Sequence, residues 1–262
     1  MIIEGDFWRD GAVCVRDAFS PAEIALATEA IEANLTDLSE VSKRASPETD
    51  GAFIEDFCSW QRIPAMEKFI RTSSAAAIAA ELMGDSTTVR LYHDHLLVKE
   101  AGTKQRTPWH QDLPYYNTSG RQNISMWFPV DPVPVESSLE VVAGSHLGPW
   151  YMPRTFLDGQ AKWFPQGTLR ELPDIAGDPD HFTILSWALE PGDAVFFHML
   201  ALHGAAGFTG PGRRRVLSVR FLGDDMVHAP RSWRTSPPFP GLTEVLPDGA
   251  PMDHPLFPVV WP

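Results

Sequence analysis

The sequence has few cysteines and no long apolar run. Its 262 residues include only Cys14 and Cys58, too few for a disulfide framework, which favours a reducing, cytoplasmic location. No stretch approaches the roughly 18–20 consecutive apolar residues that a membrane span requires, so no membrane partner is expected. Residues 1–6 lack the basic and apolar segments of a secretory signal.

Positive charge is also scarce. The chain has 21 Lys and Arg residues against 34 Asp and Glu, a formal net charge of −13. Nucleic acids and anionic membranes are bound by clustered Lys and Arg side chains, and the one dense basic run is residues 213–215. We therefore expect no nucleic-acid partner and a small-molecule substrate, while the sequence leaves the oligomeric state open.

Turn residues and short β-prone runs dominate the middle of the chain. Several short strands joined by Gly- and Pro-rich connections favour a mainly β sandwich or jelly roll with flanking helices. The helices are predicted before residue 87, where residues 20–23 form a Ser-x-x-Glu capping box and the alanine-rich run 74–83 ends at Gly84. The predicted strands are 89–98, 124–130, 139–142, 182–189, 194–197 and 216–221.

One domain with three parts is expected. These parts are a helical N-terminal region of about residues 1–86, a jelly-roll core of about 87–229 and a Pro-rich tail of about 230–262. The aromatic segment 148–179 has no clear periodicity. Because long loops in compact domains are often functional, we predict that this segment is an ordered lid.

Two clusters of polar residues point to a metal. His110 and Asp112 are two positions apart, so on a β-strand they would share one face and could bind one ion together. His203 lies 93 residues later, shortly after the predicted strand 194–197. Two histidines and one carboxylate with open positions are typical of non-haem Fe(II) oxygenases. The alternative is a pair of polar residues on a solvated strand edge.

Other histidines compete for this role. His93 and His95 also share a predicted strand face, but two imidazoles alone leave a metal under-ligated. We therefore expect His95 to line the cavity or to form a hydrogen bond in the core.

With these residues in place, the chain resembles the phytanoyl-CoA dioxygenase family of Fe(II)/2-oxoglutarate oxygenases, particularly its bacterial small-molecule members. The resemblance runs from about residue 91 to 221 and implies a double-stranded β-helix fold. It also implies that His110, Asp112 and His203 bind the iron, and that Arg214 binds the distal carboxylate of 2-oxoglutarate, with O2 as the second cosubstrate. Its most specific pieces are 107–112, 143–146, 192–198, 202–204 and 214–220.

Arg214 suits that role because a planar guanidinium can hold a carboxylate by two parallel hydrogen bonds. If the strand that follows is regular, Arg214 and Ser218 share one face, and the neighbouring arginines face away. Weaker candidates for the cosubstrate pocket are Gln111, Trp127, Thr107 and Lys99; Trp127 is equally well explained as barrel core.

The resemblance also implies the reaction. We expect hydroxylation of a small, largely apolar substrate with release of succinate and CO2; Asp112 argues against halogenation, because halogenating relatives have a small residue there. Arg220 would meet a substrate carboxylate or an acidic neighbour. The alternatives are a cupin-type metal enzyme that does not use 2-oxoglutarate and a non-catalytic binding module. The other candidates for the substrate pocket are Tyr115, Tyr116, Asn117, His95 and Trp150.

Overall fold

Antiparallel strands form most of the computed structural model, which describes residues 1–84, 86–153, 155–157, 169–178, 180–208 and 210–262. Its α-helices are α1 (Phe7–Asp10), α2 (Pro21–Thr36), α3 (Pro64–Thr72), α4 (Ala75–Leu82) and α5 (Leu242–Val245). Its strands are β1 (Ile2–Asp6), β2 (Ala12–Arg16), β3 (Lys43–Arg44), β4 (Phe53–Phe57), β5 (Val89–Lys99), β6 (Thr107–His110), β7 (Thr118–Ser119), β8 (Asn123–Pro129), β9 (Leu139–Val142), β10 (Ile184–Ser186), β11 (Ala194–Phe197), β12 (His203–Ala205), β13 (Arg214–Leu222), β14 (Val227–His228) and β15 (Val259–Trp261).

Two sheets form a jelly roll. The larger has the order β1-β2-β11-β8-β13-β5-β4-β3, with β15 also paired to β5, and the smaller has the order β10-β9-β12-β6. A separate two-stranded ladder joins β14 to β7. Side chains from both sheets line a common interior space, which is where the polar residues predicted for the site gather.

Alternation along β13 separates the structural core from that interior. Leu217 and Val219 belong to the apolar cluster that holds α2, α3 and α4 against the large sheet. Arg214, Ser218 and Arg220 project to the opposite side and line the interior cavity. Because successive side chains of a strand point to opposite faces, one long strand serves both the helical layer and the site.

Both helices that the sequence predicted, α2 and α4, are present, whereas α1, α3 and α5 were not predicted. The capping box of α2 is present: the Ser20 side chain accepts from the Glu23 backbone N–H, and the Glu23 carboxylate accepts from the Ser20 backbone N–H. Helix α4 ends where expected, at a glycine with a φ of 81°. The predicted helical region of about residues 1–86 contains helices α1–α4 but also four strands, β1–β4, that the sequence did not predict. They were missed since β2 and β4 pair with distant strands, β11 and β5.

The tail packs against the body of the protein. Its strand β15 extends the large sheet beside β5, and Met252 and Phe257 are buried in an apolar cluster with Tyr92. Residues 154, 158–168 and 179 of the predicted lid lie outside the described residues. Among the helices in the described ranges, none is long and apolar enough to cross a bilayer.

Candidate metal centre

The jelly roll brings His110, Asp112 and His203 together. His110 ends β6 and His203 begins β12, and the two residues are directly paired across these strands. The prediction that Asp112 lies on the same strand as His110 was wrong, because β6 ends at His110. Asp112 precedes a short 3-10 turn at Leu113–Tyr115, and its backbone N–H bonds to the carbonyl of Met199 at 2.8 Å.

The three side chains form a compact, buried cluster. The Nε2 atoms of His110 and His203 each lie 3.7 Å from Asp112 Oδ1. One ligand atom from each residue falls within 4.8 Å of the others, and no second such group of His, Cys, Asp or Glu occurs in the part of the chain that the structure describes. These distances leave room for one ion at the centre.

Backbone carbonyls orient both imidazoles. His110 Nδ1 lies 2.8 Å from the oxygen of Pro108, and His203 Nδ1 lies 2.9 Å from the oxygen of Ala201. A carbonyl oxygen only accepts hydrogen bonds, so each Nδ1 carries the proton and each Nε2 offers its lone pair to the centre. Such partners fix the tautomer and direction of metal-binding histidines.

The Asp112 carboxylate is held by two neighbours. Ser125 Oγ donates to Asp112 Oδ2 at 2.7 Å, and Arg220 Nη2 lies 3.2 Å from the same oxygen. Arg220 Nε also donates to the Tyr116 hydroxyl at 3.1 Å. Of the two roles predicted for Arg220, the structure therefore places it beside an acidic neighbour.

Electrostatics keep the cluster ready for a cation. Burial would raise the pKa of Asp112, but Arg220 and the two histidines outweigh it and hold that pKa below its usual range. Burial, with the nearby His203, lowers the pKa of His110 to about 3, and burial also lowers the pKa of His203. At neutral pH the three groups are thus an anion and two neutral imidazoles, the forms that bind metals.

Protonation of the histidines competes with metal binding only when the pH falls toward their lowered pKa values. Two exposed histidines of ordinary pKa would lose about 100-fold in metal affinity between pH 7.5 and 5.5. We expect the affinity for a divalent ion such as Co(II) to change much less, which titration calorimetry in this range measures. A loss of the full size would contradict the geometry described.

Arg214 lies in a narrow cavity beside the metal cluster. It is 2% exposed, its Nη1 donates to the carbonyl of Ser137, and its guanidinium stands 5.3 Å from the ring of Trp127. Its Nε has no hydrogen-bond partner, and no carboxylate of the described residues lies within ion-pair distance. Burial lowers its pKa to about 9, which leaves it protonated at neutral pH. A buried cation without an anion suits a carboxylate ligand.

The same cavity contains other predicted residues. Thr107, Trp127 and Ser218 line it together with His203. The Ser218 hydroxyl donates to the carbonyl of Met126 at 2.6 Å.

Two residues predicted for the cosubstrate lie elsewhere. Gln111 Nε2 donates to the backbone oxygens of Pro149 and Leu200 at 3.1 and 2.8 Å, so its amide joins two loops. Lys99 Nζ donates to the backbone oxygens of Gln105 and Ala206 at 2.8 and 2.9 Å. Neither side chain lines the cavity, because backbone carbonyls already use their donors.

Two residues predicted for the substrate are also held away from the cavities: Asn117 is buried, and Trp150 is partly buried. Asn117 Oδ1 accepts from the Tyr92 hydroxyl at 2.8 Å. The Trp150 ring lies 4.9 Å from the Arg231 guanidinium and packs in the apolar cluster around Tyr92. Both are absent from the lining of the larger cavity described next.

A larger cavity of about 340 Å³ opens over the metal cluster and contains the other predicted substrate residues, Tyr115, Tyr116, His95 and Arg220. Sequence reasoning missed Glu55 and Phe57 on β4, whereas Phe156 is one of the aromatic residues between Trp150 and Phe164 that it offered for an apolar substrate pocket. Residues 53–57 show no apolar–polar alternation that would signal a strand, and the pairing of β4 with β5 is non-local. The remaining lining residues are Lys43, Arg44, Ala45, His110, Asp112, Thr155, Leu157 and Ser236.

A jelly roll around a buried His-Asp-His cluster defines a class of non-haem metal enzymes. The chain belongs to the phytanoyl-CoA dioxygenase (PhyH) family, whose model matches residues 7–216. It is 26% identical over 204 residues to a probable phytanoyl-CoA dioxygenase of Caenorhabditis elegans. That match covers 74% of this chain and 62% of the relative, so the chain spans less than two thirds of the relative's length.

Solved structures support the fold. The α-ketoglutarate-dependent carbocyclase SnoK from nogalamycin biosynthesis has a TM-score of 0.74 at 23% identity, covering 97% of this chain and 93% of SnoK. The epimerase SnoN, in complex with Fe3+, α-ketoglutarate and nogalamycin RO, has the same score and identity, covering 97% and 95%. EctD from S. alaskensis, with 2-oxoglutarate and 5-hydroxyectoine, scores 0.66 at 21% identity, covering 94% and 82%. The predicted mainly β jelly-roll fold is confirmed.

Proposed function

We propose that this chain is an Fe(II)- and 2-oxoglutarate-dependent dioxygenase that oxidises a small, largely apolar organic substrate, in the simplest case by hydroxylation. The observation that carries the proposal is the pairing of the His-Asp-His cluster with Arg214, a buried cation without an anionic partner among the described residues. Membership of the family supports it. So do SnoN and EctD, whose structures contain α-ketoglutarate or 2-oxoglutarate.

The residues present fit these groups. His110, Asp112 and His203 would hold the ferrous ion, and Arg214 would hold the distal carboxylate of 2-oxoglutarate by parallel hydrogen bonds, which lysine cannot reproduce. When bound, iron and 2-oxoglutarate supply the oxidising power, with O2 consumed, succinate and CO2 released, and one oxygen atom available to a substrate C–H bond.

The protein's own contribution is position and exclusion of water. Ser125 and Arg220 keep the Asp112 carboxylate ionised and directed at the centre. The ring of Phe156 stands edge-on to His110 with centroids 4.8 Å apart, which covers one side of the cluster with apolar surface. A dry, pre-arranged site protects reactive species from side reactions.

The proposal is tested by turnover. Purified protein is supplied with Fe(II), ascorbate, O2 and 2-oxoglutarate, first alone and then with a library of small organic compounds, and succinate is measured. We expect slow succinate formation without substrate and faster formation with a suitable compound. Absence of any 2-oxoglutarate consumption, in protein shown to bind Fe(II), would favour a cupin-type enzyme or a binding module.

Product analysis refines the reaction type. SnoK is a carbocyclase and SnoN an epimerase, so the class is not restricted to hydroxylation. Mass spectrometry of the active compound should therefore score gain of one oxygen atom, loss of two hydrogen atoms and isomers of unchanged mass. Gain of one oxygen atom is the result that hydroxylation predicts.

A further inference from the structure

Glu55 is a buried carboxylate in the wall of the larger cavity that the metal cluster does not use. It lies on β4 and is 1% exposed. One oxygen, Oε1, is 3.1 Å from His95 Nε2. In the described ranges its other oxygen has no hydrogen-bond partner, and no Lys or Arg is within ion-pair distance of it.

His95 orients this carboxylate. Its ring stacks on Phe57 with centroids 4.0 Å apart and planes inclined by 22°, so its position is fixed. Burial raises the pKa of Glu55, and the positive charge of Lys43 opposes this shift. In its ionised form the carboxylate only accepts, so His95 Nε2 then donates to Glu55 Oε1. The second oxygen is then left for a donor that enters the cavity, whose wall Glu55 forms in part. A ligand that supplies this donor gains a hydrogen bond to a charged group.

The rest of the cavity restricts what this donor is. Its walls include the aromatic side chains of Phe57, Tyr115 and Phe156, which suit an apolar body. Lys43 and Arg44 line the same cavity, and their positive charge disfavours a cationic ligand. A neutral hydroxyl group satisfies the carboxylate without this repulsion.

We propose that Glu55, held by His95, is the specificity-determining residue that accepts a hydrogen bond from a hydroxyl group of the substrate. The substrate class is therefore an aromatic or alicyclic alcohol with its hydroxyl directed at β4. This inference rests on the proposed function, since it takes the larger cavity as the substrate site.

The test compares three probes of one shape: cinnamyl alcohol, cinnamyl methyl ether and cinnamylamine. The ether keeps the oxygen but has no donor, and the amine carries a positive charge. Dissociation constants are measured by titration under argon, with Fe(II) and 2-oxoglutarate present so that no turnover occurs. We expect the alcohol to bind about tenfold or more tightly than the ether, the effect of one hydrogen bond to a charged group.

Variants assign that preference to Glu55. In Glu55→Leu the ratio of ether to alcohol dissociation constants should fall to about one. In Glu55→Gln it should fall to about three, because charge-assisted bonds are roughly twice as strong as neutral ones; this variant serves if the leucine variant does not fold. The control is Glu67→Gln on α3, an exposed carboxylate paired with Arg71, which should keep the wild-type ratio.

Several results would overturn the proposal. They are equal binding of alcohol and ether, no measurable binding of the alcohol, tighter binding of the amine, or an unchanged ratio in Glu55→Leu. The titrations are repeated without Fe(II) and 2-oxoglutarate. Failure of these two to bind would count against the proposed function, whereas the alcohol-to-ether ratio tests Glu55 alone, so the two failures are distinguishable.

Discussion

Replacing Arg214 with leucine is expected to weaken 2-oxoglutarate binding by more than about 100-fold, because two charge-assisted hydrogen bonds of about 1.5–3 kcal/mol each are lost. Binding of Fe(II) should be unchanged, since Arg214 is not a member of the His-Asp-His cluster. Both affinities are measured by anaerobic titration calorimetry.

The stability of the same variant provides a second readout. Arg214 is buried without an anionic partner in the described part of the chain, so removing it relieves an uncompensated charge. We expect the midpoint of thermal unfolding of the ligand-free protein to stay the same or to rise. The matched control is Arg213→Leu, which removes a half-exposed guanidinium paired with Glu32. It should bind 2-oxoglutarate as the wild type does. Equal binding by Arg214→Leu would remove the basis for a 2-oxoglutarate site.

Replacing Asp112 with alanine should abolish succinate formation and lower Fe(II) affinity by more than about 100-fold, because loss of an outer partner alone costs 10–100-fold. The substitution also leaves Arg220 buried beside an empty position, and breaking such a pair costs about 3–5 kcal/mol. Lower thermal stability is therefore expected together with the loss of metal.

A second substitution separates these effects. Asp112→Asn keeps an oxygen for Arg220 and for Ser125 but removes the ligand's charge, so it should fold more stably than the alanine variant and still fail to turn over. The control is Asp253→Asn, an exposed carboxylate paired with Arg90, which should bind Fe(II) normally. Unchanged turnover in either Asp112 variant would exclude that residue as a ligand.

The contrast between two arginines explains much of the site. Arg214 and Arg220 point from the same face of β13, yet Arg220 is neutralised by Asp112 while Arg214 is not. Arg220 therefore has a structural partner, and Arg214 is available to an anion that comes from solution.

Sequence parity was enough to place Arg214. The run that became β13 is long and regular, so alternation alone predicted that Arg214 and Ser218 share a face, as they do. Strand alternation also predicted that His110 and Asp112 lie side by side. They do, but not because they share a strand. The strand ends at His110, and a turn containing Pro114 follows.

The residues that sequence reasoning missed depend on distant parts of the chain. Glu55 enters the cavity only because β4 pairs with β5, about forty residues later in the chain. Gln111 was predicted as a weaker candidate for the cosubstrate pocket. Its amide instead binds the carbonyls of Pro149 and Leu200, contacts between remote loops that no local pattern reveals.

The most direct test of the account is an anaerobic titration of 2-oxoglutarate into the wild-type protein with and without Fe(II). The account predicts one ferrous ion per chain and much tighter 2-oxoglutarate binding when the ion is present. Failure of the protein to bind Fe(II), or 2-oxoglutarate affinity that is the same with and without it, would contradict the account.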